Sequence, residues 1–126
     1  MNNIIKEFND ISIDFLNQTS SLVGSSYLYK FKLMTRFNSI FAIDLFIQRV
    51  LPLKHKIIER DETFFLNNNV DDDYMDDVIG IKHVYHTLDY ESKENIWDMV
   101  LALVYLAEER YINMEHNNKT FMYANN

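Results

Sequence analysis

Ile40-Phe41-Ala42-Ile43-Asp44-Leu45-Phe46-Ile47-Gln48-Arg49-Val50-Leu51-Pro52-Leu53-Lys54-His55-Lys56-Ile57-Ile58-Glu59-Arg60-Asp61-Glu62-Thr63-Phe64-Phe65 is the stretch whose reading decides the fold. It holds the densest apolar run, the sole proline and a cluster of both charge signs. Ile40, Ile43, Phe46, Ile47 and Val50 recur at helical spacing, and Phe41, Leu45 and Gln48 make a partly polar edge. A helix so apolar, from Ile40 to about Leu51 with Asn38 or Ser39 as its cap, belongs at the centre of a bundle. Asp44 is its odd charge, expected to pair with a lysine or arginine or to point outward. Pro52 has no N–H to donate and disfavours helical geometry at Leu51, so the helix ends or kinks there.

A second, short helix is expected from Leu53 to Arg60, with Pro52 near its first turn. Leu53, Ile57 and Ile58 should face inward; Lys54, His55, Lys56 and Arg60 should face out. Phe64 and Phe65 cannot share a face in an extended segment, but on a helix they lie about 100° apart and both can be buried.

Working outward toward the N-terminus, Ile4, Phe8, Ile11, Phe15 and Leu22 form an apolar stripe that Ile5 and Leu16 widen. Asn2 or Asn3 caps this amphipathic helix, and Gly24 suits the left-handed residue that follows a helix end. Ser25 or Ser26 starts the next helix, with Tyr27, Leu28, Phe31 and Met34 on one face and Lys30, Lys32 and Arg36 supplying charge. A basic, aromatic segment of this kind can stack on bases, but its plainer reading is a core stripe edged by solvated cations.

In the other direction, Asn67-Asn68-Asn69 reads as a loop, and Ile81, Val84, Tyr85 and Leu88 make a short helical stripe. Ser92 caps the clearest helix, running to Ile112, with Trp97, Val100, Leu101, Val104, Ala107 and Tyr111 on its main face. Ile96, Leu103 and Leu106 add a second apolar face. That face implies burial between neighbouring helices or a surface kept for a partner. Residues 1–115 read as one helical domain, and residues 116–126 as a frayed tail in which Phe121, Met122 and Tyr123 can dock locally.

Composition narrows the classes. In 126 residues there are two glycines, one proline and no cysteine. All-β folds spend glycine and proline on turns, so their scarcity favours long helices. Disulfides and thiolate zinc sites are excluded. The N-terminus lacks the basic-then-apolar pattern of a signal peptide, and no apolar run approaches the roughly 20 residues of a membrane span, so a soluble chain is expected. Net charge is −7, unevenly spread: residues 1–60 carry eight Lys or Arg against five Asp or Glu, and residues 61–126 carry four against fourteen. This asymmetry marks an interaction surface or a solvated acidic face, and the acidic total disfavours general nucleic-acid binding.

The acidic run Asp71, Asp72, Asp73, Asp76 and Asp77 invites a cation reading. A calcium loop needs glycine at its sixth position and glutamate at its twelfth. Counted from Asp71 these are Asp76 and Lys82, and counted from Asn69 they are Tyr74 and Gly80, so neither frame fits. An acidic helix start or exposed loop suits the run better. His83 and His86 can share a helix face, but no third metal ligand is fixed by spacing. Two glycines cannot build a phosphate-cradling loop, and no spacing singles out a catalytic triad or carboxylate pair. The sequence therefore assigns no catalytic residue, cofactor or metal. The Arg60-Asp61-Glu62 cluster with Lys54 and Lys56 reads most simply as a helix-end salt network.

Phe46, Val50-Leu51-Pro52, Lys54, Ile57 and Arg60-Asp61-Glu62 before Phe64-Phe65, with Trp97 and Tyr105-Leu106 later, resemble a pattern in small uncharacterised helical proteins of large and giant nucleocytoplasmic DNA viruses. The resemblance spans about half the chain. It implies residence in the cytoplasm of an infected host cell or in a virion, and it implies no catalytic residue.

These readings converge on an all-α bundle of five or six helices centred on the helices Asn38–Leu51 and Ser92–Ile112. The expected function is that of a non-enzymatic interaction, structural or assembly protein, partnered by itself or by a viral protein, with a homo-oligomer favoured and no membrane contact. The expected contact residues are Lys54, Arg60, Asp61, Glu62, Asp71, Asp72, Asp73, Asp76, Asp77, Leu103 and Leu106. The alternatives are a transcriptional regulator using the basic N-terminal half and a metal-dependent enzyme using the aspartates with His83 and His86.

Overall fold

The computed structural model describes residues 2–67 and 85–124. The fold is all-α. Among the described residues the chain forms six α-helices: α1 (Asn2–Val23), α2 (Ser26–Phe37), α3 (Phe41–Arg49), α4 (Lys54–Ile58), α5 (Glu62–Asn67) and α6 (Tyr90–Ala124), with 3₁₀ turns at Leu51–Leu53 and Tyr85–Thr87. The aspartate run 71–77 and His83 lie outside the described residues.

α1 ends where the sequence places its end. The Gly24 N–H reaches the Ser20 carbonyl at 2.9 Å, and Gly24 has φ +91°, a conformation that strains any L side chain. Within α1 the buried hydroxyls of Ser12 and Thr19 donate back to the carbonyls of Phe8 and Phe15, so two polar residues lie in the apolar face without an open donor.

α3 stops at Arg49, and Pro52 sits in the following 3₁₀ turn, where its missing N–H matters least. The chain thus kinks between α3 and α4 rather than breaking. Ala42, Ile43, Phe46, Val50 and Ile57 enter the core from this kinked unit. Phe8 meets Phe46 edge to face at 5.2 Å, and Trp97, Leu103, Val104 and Ala107 close the core from α6. α1 packs along α6 as well as along α2, so it is as central as α3 and α6, which the sequence had favoured.

Three other expectations are corrected. Ile58 was assigned inward and is 45% exposed, because five-residue α4 turns only Ile57 squarely to the core. The last helix starts at Tyr90, not at Ser92. Its cap is Asp89, whose carboxylate accepts the Ser92 N–H at 2.8 Å, and hydrogen bonds from the Ser92 hydroxyl and backbone hold the Asp89 carboxyl below its usual range. The backbone of α6 stays helical to Ala124, past the expected end at Ile112.

Candidate functional site

Two regions carry the concentrated polar and apolar chemistry, and they differ in whether their groups are already partnered. The first is a seam between the α4–α5 corner and α6. It begins with how α4 ends. The Arg60 N–H bonds the Ile57 carbonyl and the Asp61 N–H bonds the Lys56 carbonyl, each at 3.0 Å, the paired closure of a Schellman motif. In that motif the residue in Arg60's place is normally glycine. Arg60 nevertheless takes φ 53°, among the described residues the one non-glycine with positive φ. Its guanidinium explains the exception. It bridges Glu94 and, at 2.6 Å, Asp98 on successive turns of α6. The Asp98 hydrogen bond, followed by that to Glu94, raises the Arg60 pKa above its ordinary value.

Beside it, Asp61 caps α5 by accepting the Phe64 N–H at 3.0 Å and faces the Lys56 ammonium at 3.5 Å. Glu62 accepts the Tyr85 hydroxyl proton at 2.6 Å, and the same hydroxyl oxygen accepts the Trp97 indole N–H at 2.8 Å. Burial and the Glu62 carboxylate push the Tyr85 phenol up to about 12. Phe65 packs edge to face on Trp97, and the Lys93 ammonium stands 5.0 Å from the Tyr85 ring centre. Lys54 pairs with Glu108, and Arg110 grips Asp44 through two hydrogen bonds of 2.8 and 3.4 Å. The expected partner for Asp44 is thus on α6.

The seam brings together the expected contact residues Lys54, Arg60, Asp61 and Glu62, but as internal fasteners. Leu103 is only 6% exposed and Leu106 is half-buried against the core. The second apolar face of α6 is therefore buried between helices, the first of the two outcomes its sequence allowed, and not a free surface.

The second region lies on α2. Leu28, Phe31 and Met34 face the core as the sequence indicates. On the opposite side Tyr29, Leu33 and Phe37 form an i, i+4, i+8 stripe that is 67%, 55% and 82% exposed, and Ile40 and Phe41 at the start of α3 are exposed as well. Lys30 flanks the stripe on one side and Arg36 and Lys32 on the other; α2 contains no acidic residue. Beyond Lys32 and Arg36 a groove of about 520 Å³ opens between α1, α2 and Ser39. Asn9 lies in it, donating its amide N–H to the Ser39 carbonyl at 2.9 Å. The Asn9 Oδ1 is buried with no donor among the described residues. Lys6, on the groove's far wall, is paired with Asp10 at 2.8 Å, a hydrogen bond that raises the Lys6 pKa.

The sequence reading missed this stripe, although the signal was present: a twelve-residue helix carrying apolar residues at both 28, 31, 34 and 29, 33, 37 has two apolar faces and can bury only one. Among the described residues no three His, Asp or Glu side chains converge as a metal site requires, and no helix is long and apolar enough to cross a membrane. The chain matches no family model, no curated protein and no solved structure.

Proposed function

We propose that this is a non-enzymatic interaction protein, acting as a structural or assembly factor through the outer face of α2. One observation carries the reading: Tyr29, Leu33 and Phe37 stand in solvent as a continuous apolar stripe edged by cations. Scattered exposed apolar residues are ordinary, whereas a contiguous aromatic and aliphatic stripe rimmed by charge has the composition of an interface. The setting proposed from the sequence resemblance is an infected host cell or a virion.

A second reading has its own observation. Tyr29 and Phe37 beside Lys30, Lys32 and Arg36 can stack on bases and contact phosphates. The net charge of −7 opposes that reading at long range.

The test is solution mass by light scattering at low and high salt, on the wild type and on Leu33→Ser/Phe37→Ser. A mass above 15.1 kDa that the variant lowers supports the reading. So does a monomer that captures a partner, identified by mass spectrometry, which the folded variant fails to capture. A monomer whose captured proteins are the same for wild type and variant overturns it.

A further inference from the structure

We infer that the occupant of the α2 face is a second copy of this chain, presenting the outer face of α6, so that molecules associate head to tail. The inference rests on the interaction reading above and names the partner of that surface.

The two faces are complementary in charge and in character. α2 carries three cations and no acid; of the six acidic residues on α6, Glu94, Asp98 and Glu108 are engaged by Arg60 and Lys54 and Glu115 accepts the Tyr111 hydroxyl, which leaves Glu91 and Glu109 without an ion-pair partner among the described residues. Along the outer face of α6, Tyr105, Glu109 and Ile112 share one helix side and all three are exposed, whereas Asp98 on the same side is held by Arg60. Tyr105 and Ile112 are about 10 Å apart along the axis and Tyr29 and Phe37 about 12 Å, so the two apolar stripes match in length. Glu109 then lies between Tyr105 and Ile112, where it can meet Arg36 or Lys32 at the border of the α2 stripe.

Within one molecule these faces do not meet. α1 packs against both α2 and α6, and α2 makes no extensive contact with α6. The cations on α2 are not neutralised by the acids of its own α6; among the described residues Lys30, Lys32 and Arg36 have no ion-pair partner. Complementary but different patches on one molecule make a heterologous contact, which propagates into a ring or an open chain instead of closing as a symmetric dimer. The groove beside Lys32 and Arg36 offers room for a partner side chain. A contact one short helix long lies at the small end of interface sizes, so association is weak and depends on concentration and salt.

Sedimentation velocity over a wide concentration range tests this with two charge-reversed variants, Lys32→Glu/Arg36→Glu on α2 and Glu109→Lys on α6. The wild type is expected to grow in mean mass with concentration at low salt and to shrink at high salt. Each variant alone, carrying like charges on both faces, is expected to stay near 15.1 kDa, and an equimolar mixture of the two is expected to recover the growth. Recovery in the mixture is the decisive result, because loss in either variant alone could reflect a damaged fold.

Self-association that neither reversal weakens overturns the inference while leaving an interaction role through another face. A wild type that stays monomeric also overturns it. If that monomer still captures an identified foreign protein lost in Leu33→Ser/Phe37→Ser, the interaction reading stands. If instead it retains a short DNA duplex that the α2 reversal releases, the surface is one for nucleic acid.

Discussion

The seam along α6 and the outer face of α2 are built from the same residue types and end in opposite states. In the seam, Lys54, Arg60 and Arg110 each find a carboxylate on another helix, and Tyr85 uses its hydroxyl twice. On α2, Lys30, Lys32 and Arg36 flank three exposed apolar side chains. Charge density alone therefore does not identify a contact surface. Charges in the seam lock helices together, whereas those on α2 frame an exposed apolar stripe and have no ion-pair partner among the described residues.

Substitutions should separate the two regions by what they damage. The largest effect is expected from Trp97→Ala in the seam, which removes a buried indole, its packing on Phe65 and its bond to Tyr85. A loss of about 3–5 kcal/mol in urea unfolding is expected. Tyr85→Phe keeps the ring but leaves the Trp97 N–H without its acceptor, for a loss of about 1–3 kcal/mol in the same assay.

The same hydroxyl gives a pH signature. Its folded pKa of about 12 lies above the ordinary 10.0, so the fold favours the neutral phenol. The unfolded chain ionises first as pH rises, and stability is full below pH 10 and lost toward about 12. A decline on the order of 2 kcal/mol is expected across that window, and Tyr85→Phe should flatten it. Asp44→Asn weakens a partly solvated pair with Arg110 and should cost less than about 1 kcal/mol. Leu33→Ser/Phe37→Ser is expected to leave unfolding within about 0.5 kcal/mol of wild type while lowering association. An unfolding loss there as large as that of Trp97→Ala would erase the distinction between the two regions.

Most of the architecture was legible in the chain. Local chemistry placed the end of α1 at Gly24 and the kink at Pro52, because glycine and proline act on the backbone within a residue or two; the start of α2 falls at Ser26 as expected, although the Ser25 side chain makes no cap bond there. The periodicity of α1 and of the core side of α2 was equally plain. The site was less legible. Arg60 and Glu94 are 34 residues apart, and no local rule says which of several acids an arginine will reach. Leu103 and Leu106 allowed both burial between helices and a surface for a partner because α6 has two apolar faces, and only the position of its neighbours shows that both residues pack on the core. Asp89 escaped notice as the cap because Ser92, three residues on, is an equally good capping residue; the two act together.

The length of α6 has a hydrodynamic consequence. At 1.5 Å per residue its 35 residues span about 52 Å, against about 33 Å for the 22 residues of α1. Among the described residues, its last ion pair to another helix is that between Arg110 and Asp44, and none of the residues from Tyr111 to Asn117 is buried. A single element of that length makes the molecule longer than a compact sphere of 15.1 kDa, so its frictional drag exceeds that of the sphere. A monomer should elute early from a sizing column and pass for a dimer, whereas scattered intensity, which follows mass and not shape, will report the true stoichiometry.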